Sequence, residues 1–273
     1  MEYSKREPSR WIFSRELKDS NQLEGSNNDE RFRPYIVTPL GTMVKRIMVC
    51  GVVASSNSEE TSSKIVLSDP VGSFYISASS AGFNELVRGE MKEFSAGDIA
   101  LVMGRVTHFK ADEGAFMFTV NPERIWPATD LIKKFWNSRS LRIASRRVLA
   151  IREAQKVPNP TPATLSRLGY AREEAEFAIN AVTRYPEYDF GKLLETISTS
   201  VSKDQSGEIA EAKKVIMEII KKHEGDPRGV SYEEIASEAS SFGIEKKTVD
   251  DSLNSLGNDG DIYEVSLKRF KAI

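Results

Sequence analysis

Arg46, Lys64, Tyr75, Ser77, Arg105, Thr107 and Phe109, followed directly by Lys110, recur through the first half of this sequence at strand spacing. Apolar residues interleave with them: Ile65 and Leu67 around Val66, Phe74, Ile76 and Ala78 around Tyr75 and Ser77, and Ala100, Val102, Gly104 and Val106 leading past Arg105. Successive strand side chains point to opposite faces, so the alternation predicts one inward and one solvent-facing set. A solvent-facing set of Arg, Lys, Tyr and Phe suits a single nucleic-acid strand. Cations follow the phosphates, and rings stack on unpaired bases at about 1–3 kcal/mol each. The competing reading is purely structural. Outward rings on a barrel also pack beneath a flanking helix, and Lys64 and Lys110 can be solvated charges. Phe116 and Phe118 alternate with Met117 and Thr119 and read as core.

Other chemistry lacks its parts. The chain has one cysteine, Cys50, and two histidines, His108 and His223, too few for a zinc cluster. There is no GxxxxGK[ST] phosphate loop, no HxH, and no paired aspartates within the strand-rich region. A nuclease or synthetase accessory domain would need such groups. The expectation is a protein that is not an enzyme and uses no metal or cofactor. MEYSKREPSR carries no apolar signal segment, and no stretch approaches the roughly 20 apolar residues of a membrane helix. A lone cysteine suggests a reducing compartment. A soluble, intracellular protein is expected.

The elements that must carry these residues are β-like from Arg33 to Pro127: YIVTPLG, KRIMVCGVVAS, SKIVLSD, GSFYISA, DIALVMGRVTHF and AFMFTVNPERI. In SDPVGSFYIS the turn formers Asp69, Pro70 and Gly72 join two strands into a hairpin. Phe83, Leu86 and Val87 fall at helical spacing between the third and fourth long strands. Three strands, a helix and two strands is the order of the five-stranded OB-fold barrel. Residues 1–30 read as an N-terminal arm, amphipathic at RWIFSREL and then polar, and 31–127 as the barrel.

Residues 128–157 read as a basic helix. Eight Lys or Arg between Ala128 and Lys156 face only Asp130 and Glu153. Leu141, Ala144, Val148 and Ile151 form one apolar face, and Ile132, Phe135 and Trp136 a second patch. PNPTP opens a linker with short helices over 158–206, where Thr161 is a candidate N-cap ahead of Pro162 and KDQSGE is a polar break. From 207 to 273, three helical patterns followed by a hairpin give the order of a winged helix. Residues 208–273 hold ten Lys or Arg against fourteen Asp or Glu, and EKKTVDDSLNSL sets Asp250 and Asp251 behind Lys246 and Lys247. Phosphate repulsion makes this a protein-docking module rather than a duplex reader.

RWIFSREL, YIVTPLGTMVKRIMVCGVV, the Asp-x-x-Gly-x-aromatic hairpin of SDPVGSFYIS and the strand around Gly104 together resemble the middle (second) subunit of replication protein A. They resemble the archaeal replication protein A-associated proteins more closely. The likeness spans roughly residues 7–150 and, in outline, 208–273. Residues 160–201 have no counterpart in the eukaryotic subunit. The resemblance implies a single-stranded DNA-binding subunit of a heteromeric complex in replication, recombination and repair. It implies assembly with other subunits through the 128–157 helix (Ile132, Phe135, Trp136, Leu141, Ala144, Val148 and Ile151) and docking of replication or repair proteins on the winged helix. Such a protein is cytoplasmic and nucleoid-associated in an archaeon and nuclear in a eukaryote. A winged-helix transcription regulator and a telomere-end-protection-like OB-fold protein are the alternatives.

Overall fold

The computed structural model describes residues 7–25, 34–79, 85–110 and 116–273. They form two compact units, divided between Val201 and Ser202. Phe83 and the KADEGA turn beyond Lys110 lie outside the described residues.

The barrel of the first unit is built from β5 (Arg46–Ser58), β6 (Ser62–Asp69), β7 (Gly72–Ser79), β8 (Ile99–Lys110) and β9 (Phe116–Pro127). They pair in the order β5-β6-β7-β9-β8, and β8 returns to β5 to close the cylinder. This closed order, with α2 (Glu85–Met91) between the third and fourth barrel strands, makes it an OB-fold. Closure needs two tight approaches. A Cβ on Gly51 would lie 2.2 Å from the Ser68 carbonyl oxygen, and one on Gly104 would lie 2.5 Å from that of Asn121. Ile47, Val49, Ile65, Leu67, Phe74, Ile76, Val102 and Val120 fill the interior, which is the inward parity read from sequence.

What precedes the barrel is not a separate arm. β1 (Ser9–Arg10) pairs in parallel with Arg46 and Ile47 of β5, and Ile12, Phe13 and Leu17 are core residues of the first unit. Each such side chain contributes about 1.5–3 kcal/mol when fully buried. α1 (Ser14–Lys18) carries Glu16, which has no exposed surface. The Glu16 carboxylate accepts from Thr38 Oγ1 at 2.7 Å and Thr42 Oγ1 at 3.3 Å, and meets Arg147 Nη1 at 3.4 Å. The hairpin turn holds α1 from the other side. Asp69 accepts from the Ser14 amide at 2.6 Å, the Ser14 hydroxyl at 2.7 Å and the Val71 amide at 2.9 Å. β2 (Gln22–Glu24) continues the segment by pairing with β3 (Tyr35–Val37), which pairs in turn with β4 (Met43–Val44).

α3 (Asp130–Lys156) is capped by Thr129, whose side chain accepts from the Ile132 amide. Its Trp136 is buried, stacks on Trp11, meets Phe13 edge-on at 5.2 Å and donates to the Met48 carbonyl at 3.0 Å. The stretch read as a linker packs onto this helix. α4 (Pro162–Arg167) begins at Thr161, whose side chain accepts from the Thr164 amide in a capping box. α5 (Arg172–Arg184) binds α3 and the N-terminal segment through Arg146–Glu174 at 2.5 Å and Arg10–Glu173 at 2.7 Å. After α5, Tyr185 donates to the Val37 carbonyl at 2.6 Å and Tyr188 to Asp19 at 2.6 Å.

α6 (Phe190–Lys222) runs unbroken through residues 203–208, where a polar break was expected, and belongs to both units. The second unit adds β10 (Val230–Ser231), α7 (Tyr232–Ser241), α8 (Lys246–Asp259), β11 (Ile262–Ser266) and β12 (Arg269–Ala272). Ser231 caps α7 in a capping box, and Gly260, at φ +79°, ends α8. The strand order β10-β12-β11 and a core of Ile216, Ile219, Ile220, Ile235, Val249, Leu253 and Leu256 make a winged helix. The two-residue strand β10 escapes a sequence reading because it is too short to show a period. No helix among the described residues is long and apolar enough to cross a membrane.

Candidate nucleic-acid interface

Strand register arranges the outward side chains as two belts. Asn57 pairs with Lys64, Lys64 with Ser77, and Asn121 with Arg105. The parallel contact of Ile76 with Val120 sets Ser77 beside Asn121 and Tyr75 beside Thr119. One belt therefore reads Asn57, Lys64, Ser77, Asn121, Arg105. The neighbouring belt reads Val66, Tyr75, Thr119, Thr107, and one step further Phe109 pairs with Met117.

The rings and cations of the belts are open to solvent, and Val66, Thr107, Thr119 and Asn121 between them are half-buried. Tyr75 is 57% and Phe109 52% exposed, so neither ring lies beneath another segment of the described residues, and Met117 is 48% exposed beside Phe109. Lys64 and Lys110 are exposed, and Ser77 is half-buried. The Arg105 side chain keeps 66% of its surface although its Nε donates to Glu123 at 2.9 Å. Thr107 is a strand-to-strand brace: its hydroxyl donates to the Thr119 carbonyl at 3.2 Å and accepts from the Asn121 amide at 3.3 Å. His108 has the opposite parity, edge-on to Phe116 at 5.5 Å. Burial lowers its pKa from the ordinary value, so it supplies no phosphate-binding cation at neutral pH. Phe116 and Phe118 are half-buried on that same inward parity.

Arg46 is not part of the open face. It is 8% exposed, its Nη2 is ion-paired with Glu123, and its Nη1 donates to the Glu7 carbonyl at 3.1 Å. Strand parity pointed it outward correctly. Parity could not show that β1 pairs alongside β5 at that position and covers it.

The helix residues assigned to subunit assembly divide in the same way. Trp136, Ala144, Val148 and Ile151 are buried in the core of the first unit and offer no free surface, and Leu141 is partly buried against it. Ile132 and Phe135 are exposed. Exposed Leu131 and Leu149, missed in the sequence, lie on the Phe135 side of α3 with the exposed Arg142, and Phe135, Arg142 and Leu149 recur every seven residues. Asn121, Thr119 and Met117 were also missed, although the alternation of β9 carries them. No group of His, Cys, Asp and Glu among the described residues is arranged to hold a metal ion.

Residues 210–273 match the family described as the MCM protein C-terminal winged helix-turn-helix domain. Among solved structures, the chain is similar to one from the S. pombe Stn1-Ten1 complex, with 11% identity and a TM-score of 0.39 over 50% of this chain and 93% of that one. It is also similar to a replication protein A heterotrimer bound to ssDNA, with 12% identity and a TM-score of 0.38 over 52% of this chain and 98% of that one. Asparaginyl-tRNA synthetase from Pyrococcus horikoshii follows at 13% identity and a TM-score of 0.27, over 40% and 31%. No curated protein matches the sequence. The chain combines an OB-fold unit with a winged-helix unit.

Proposed function

We propose that this chain is a single-stranded DNA-binding subunit of a replication protein A-like complex acting in replication, recombination and repair, and that it is not an enzyme. The observation that carries the reading is the solvent-open pair of belts, with Tyr75 and Phe109 as stacking platforms and Lys64, Arg105 and Lys110 as phosphate contacts. Ser77 and Asn121 lie between Lys64 and Arg105 and offer hydrogen bonds to sugar or base edges. The exposed stripe of α3, with Leu131, Ile132, Phe135 and Leu149 beside Arg139 and Arg142, is the surface for another subunit, and an acidic amphipathic helix fits it. The acidic winged helix docks replication or repair proteins. The working site is the nucleoid of an archaeon or the nucleus of a eukaryote.

Fluorescence anisotropy with labelled oligo-dT at two salt concentrations tests the DNA reading. Binding is expected to weaken steeply with salt and to favour unpaired over duplex DNA. Tyr75→Ala and Phe109→Ala should each cost about 1–3 kcal/mol of binding free energy with the salt slope unchanged. Equal affinity for duplex and single strand would replace this reading with that of a transcription regulator.

A further inference from the structure

The belt that holds Arg105 has an irregularity with a consequence for binding. Between Met103 and Gly104 the β8–β9 register shifts: Gly104 pairs with Pro122, but Met103 pairs with Arg124. Glu123 is thus the extra residue of a β-bulge. Bulges re-aim side chains, and they do so often at the rims of barrels and next to sites. Pro122 has no amide hydrogen to lose at the shift. Gly104 is required opposite, since its Cβ would meet the Val120 side chain at 2.8 Å and Pro122 Cα at 2.9 Å.

The redirected carboxylate takes two arginines. One oxygen pairs with Nη2 of the buried Arg46. The other accepts from Arg105 Nε at 2.9 Å. Arg46 is itself fixed by the Glu7 carbonyl, so Glu123 is anchored from behind. Arg105 is therefore held at Nε, no hydrogen bond from its two terminal nitrogens is found among the described residues, and its side chain is two-thirds exposed. A guanidinium presents its donors in a rigid fork, and two of them in register bind a phosphate in bidentate fashion.

We propose that Glu123 is a positioning residue that holds the Arg105 guanidinium with its free edge toward the backbone phosphate of a single DNA strand. The inference rests on the DNA-binding reading above. It is testable because electrostatics alone predicts the opposite sign. Removing a carboxylate from a face that binds a polyanion should tighten binding. Positioning predicts that Glu123→Ala weakens it, because an unrestrained arginine must be ordered again at each encounter.

A double-mutant cycle on oligo-dT affinity decides between them. Arg105→Ala should weaken binding about fivefold and reduce the salt slope by about 0.7, as for one lost contact to a single strand. Glu123→Ala should weaken it about threefold in the presence of Arg105, and by nothing further in the Arg105→Ala background. Because Glu123→Ala leaves Arg46 buried without its carboxylate, the Arg46→Met/Glu123→Ala pair is measured alongside and should show the same threefold loss. In the wild type the Arg105 Nε–H NMR signal should be slow to exchange, and it should become averaged in both variants. Unchanged or tighter binding on loss of Glu123, or an equal loss with Arg105 already absent, overturns the positioning role alone. A wild-type chain without measurable oligo-dT affinity overturns the DNA-binding reading as well, so the wild-type titration separates the two failures.

Discussion

In the first unit Glu16, Arg46, Lys133 and Arg147 are buried, whereas among the described residues of the winged helix the only buried polar side chain is Ser252. The first unit joins pieces that lie far apart in sequence: an N-terminal segment, a barrel, and a helical layer up to Val201. Charged and hydrogen-bonded pairs sit where those pieces meet, as with Glu16–Arg147, Asp69–Ser14 and Tyr185–Val37. The winged helix is built from neighbouring elements around an aliphatic core, and its ion pairs Lys213–Asp259 and Lys222–Glu238 lie at its surface. Buried pairs specify which surfaces may meet, at the cost of desolvation. The winged helix, closed by local contacts, has no need of them.

The hardest test of that contrast is Glu16→Ala. It leaves the buried Arg147 without the carboxylate it contacts, and breaking a buried pair in this way costs about 3–5 kcal/mol. All three tryptophans, Trp11, Trp126 and Trp136, belong to the first unit, so tryptophan fluorescence follows its unfolding alone. The tryptophan transition should move to markedly lower urea while the methyl NMR signals of Ile216, Ile235 and Val249 melt where they did before. Replacing both partners, Glu16→Leu with Arg147→Met, should recover most of the loss. A cost below about 1 kcal/mol would mean that the pair is not what joins the segments.

Legibility in the sequence follows the same division. Strand parity, the DPVG turn, the Thr161 cap and the winged-helix order are local properties, and each stands in the structure as its residues imply. The docking of the N-terminal segment was hidden because Asp69 and Ser14 are 55 positions apart, and nothing in either neighbourhood names the other. The apolar face of α3 showed that Ala144, Val148 and Ile151 would be covered. It could not say that α4 and α5, which pack on α3, would do the covering in place of another chain. The KDQSGE stretch looked like a break because of its composition. One glycine costs a helix only about 1 kcal/mol, which the long helical stretches on either side outweigh. Glu123 was hidden for a subtler reason: a bulge shifts parity by one residue, and parity was the tool.

A smaller effect with a sign that separates the units comes from pH. Burial raises the pKa values of Glu16 and Asp69 above their ordinary values. A carboxyl raised in the folded state contributes stability that is fully present below its unfolded pKa and is lost as pH rises through the folded one. Acidification therefore favours the first unit through these two groups. Glu174 trims that gain: burial pushes it up, but the Arg146 and Ala171 donors outweigh burial and leave its pKa lowered. In the winged helix Asp226, Glu234, Glu238 and Asp259 are all lowered, through bonds from the Arg228 amide, the Ser231 amide, Lys222 with His223, and Lys213 respectively. Their contribution is present above their ordinary values and is lost as pH falls through the lowered ones. As pH falls from about 5 to about 2.5, the winged-helix methyl signals should lose thermal stability faster than the tryptophan signal. Parallel decline of both probes would sink the contrast.

The smallest expected effect is the most pointed, since it concerns what each unit does with its exposed cations. Lys246 and Lys247 open α8, the helix that a duplex-reading winged helix would set into the major groove. Here Asp250 and Asp251 follow on the same exposed surface and oppose any phosphate those lysines attract. The first unit does the reverse: Lys64 and Arg105 flank uncharged Ser77 and Asn121, and Glu123, the acid bonded to Arg105, is occupied by two arginines. Lys246→Ala/Lys247→Ala should therefore leave oligo-dT affinity within about twofold of the wild type and its salt slope unchanged, whereas Lys64→Ala should lower that slope by about 0.7. Anisotropy titrations from low to moderate salt read both quantities. A slope that falls by the same amount in the α8 variant would place DNA on the winged helix too, and the two units would no longer divide nucleic acid and protein between them.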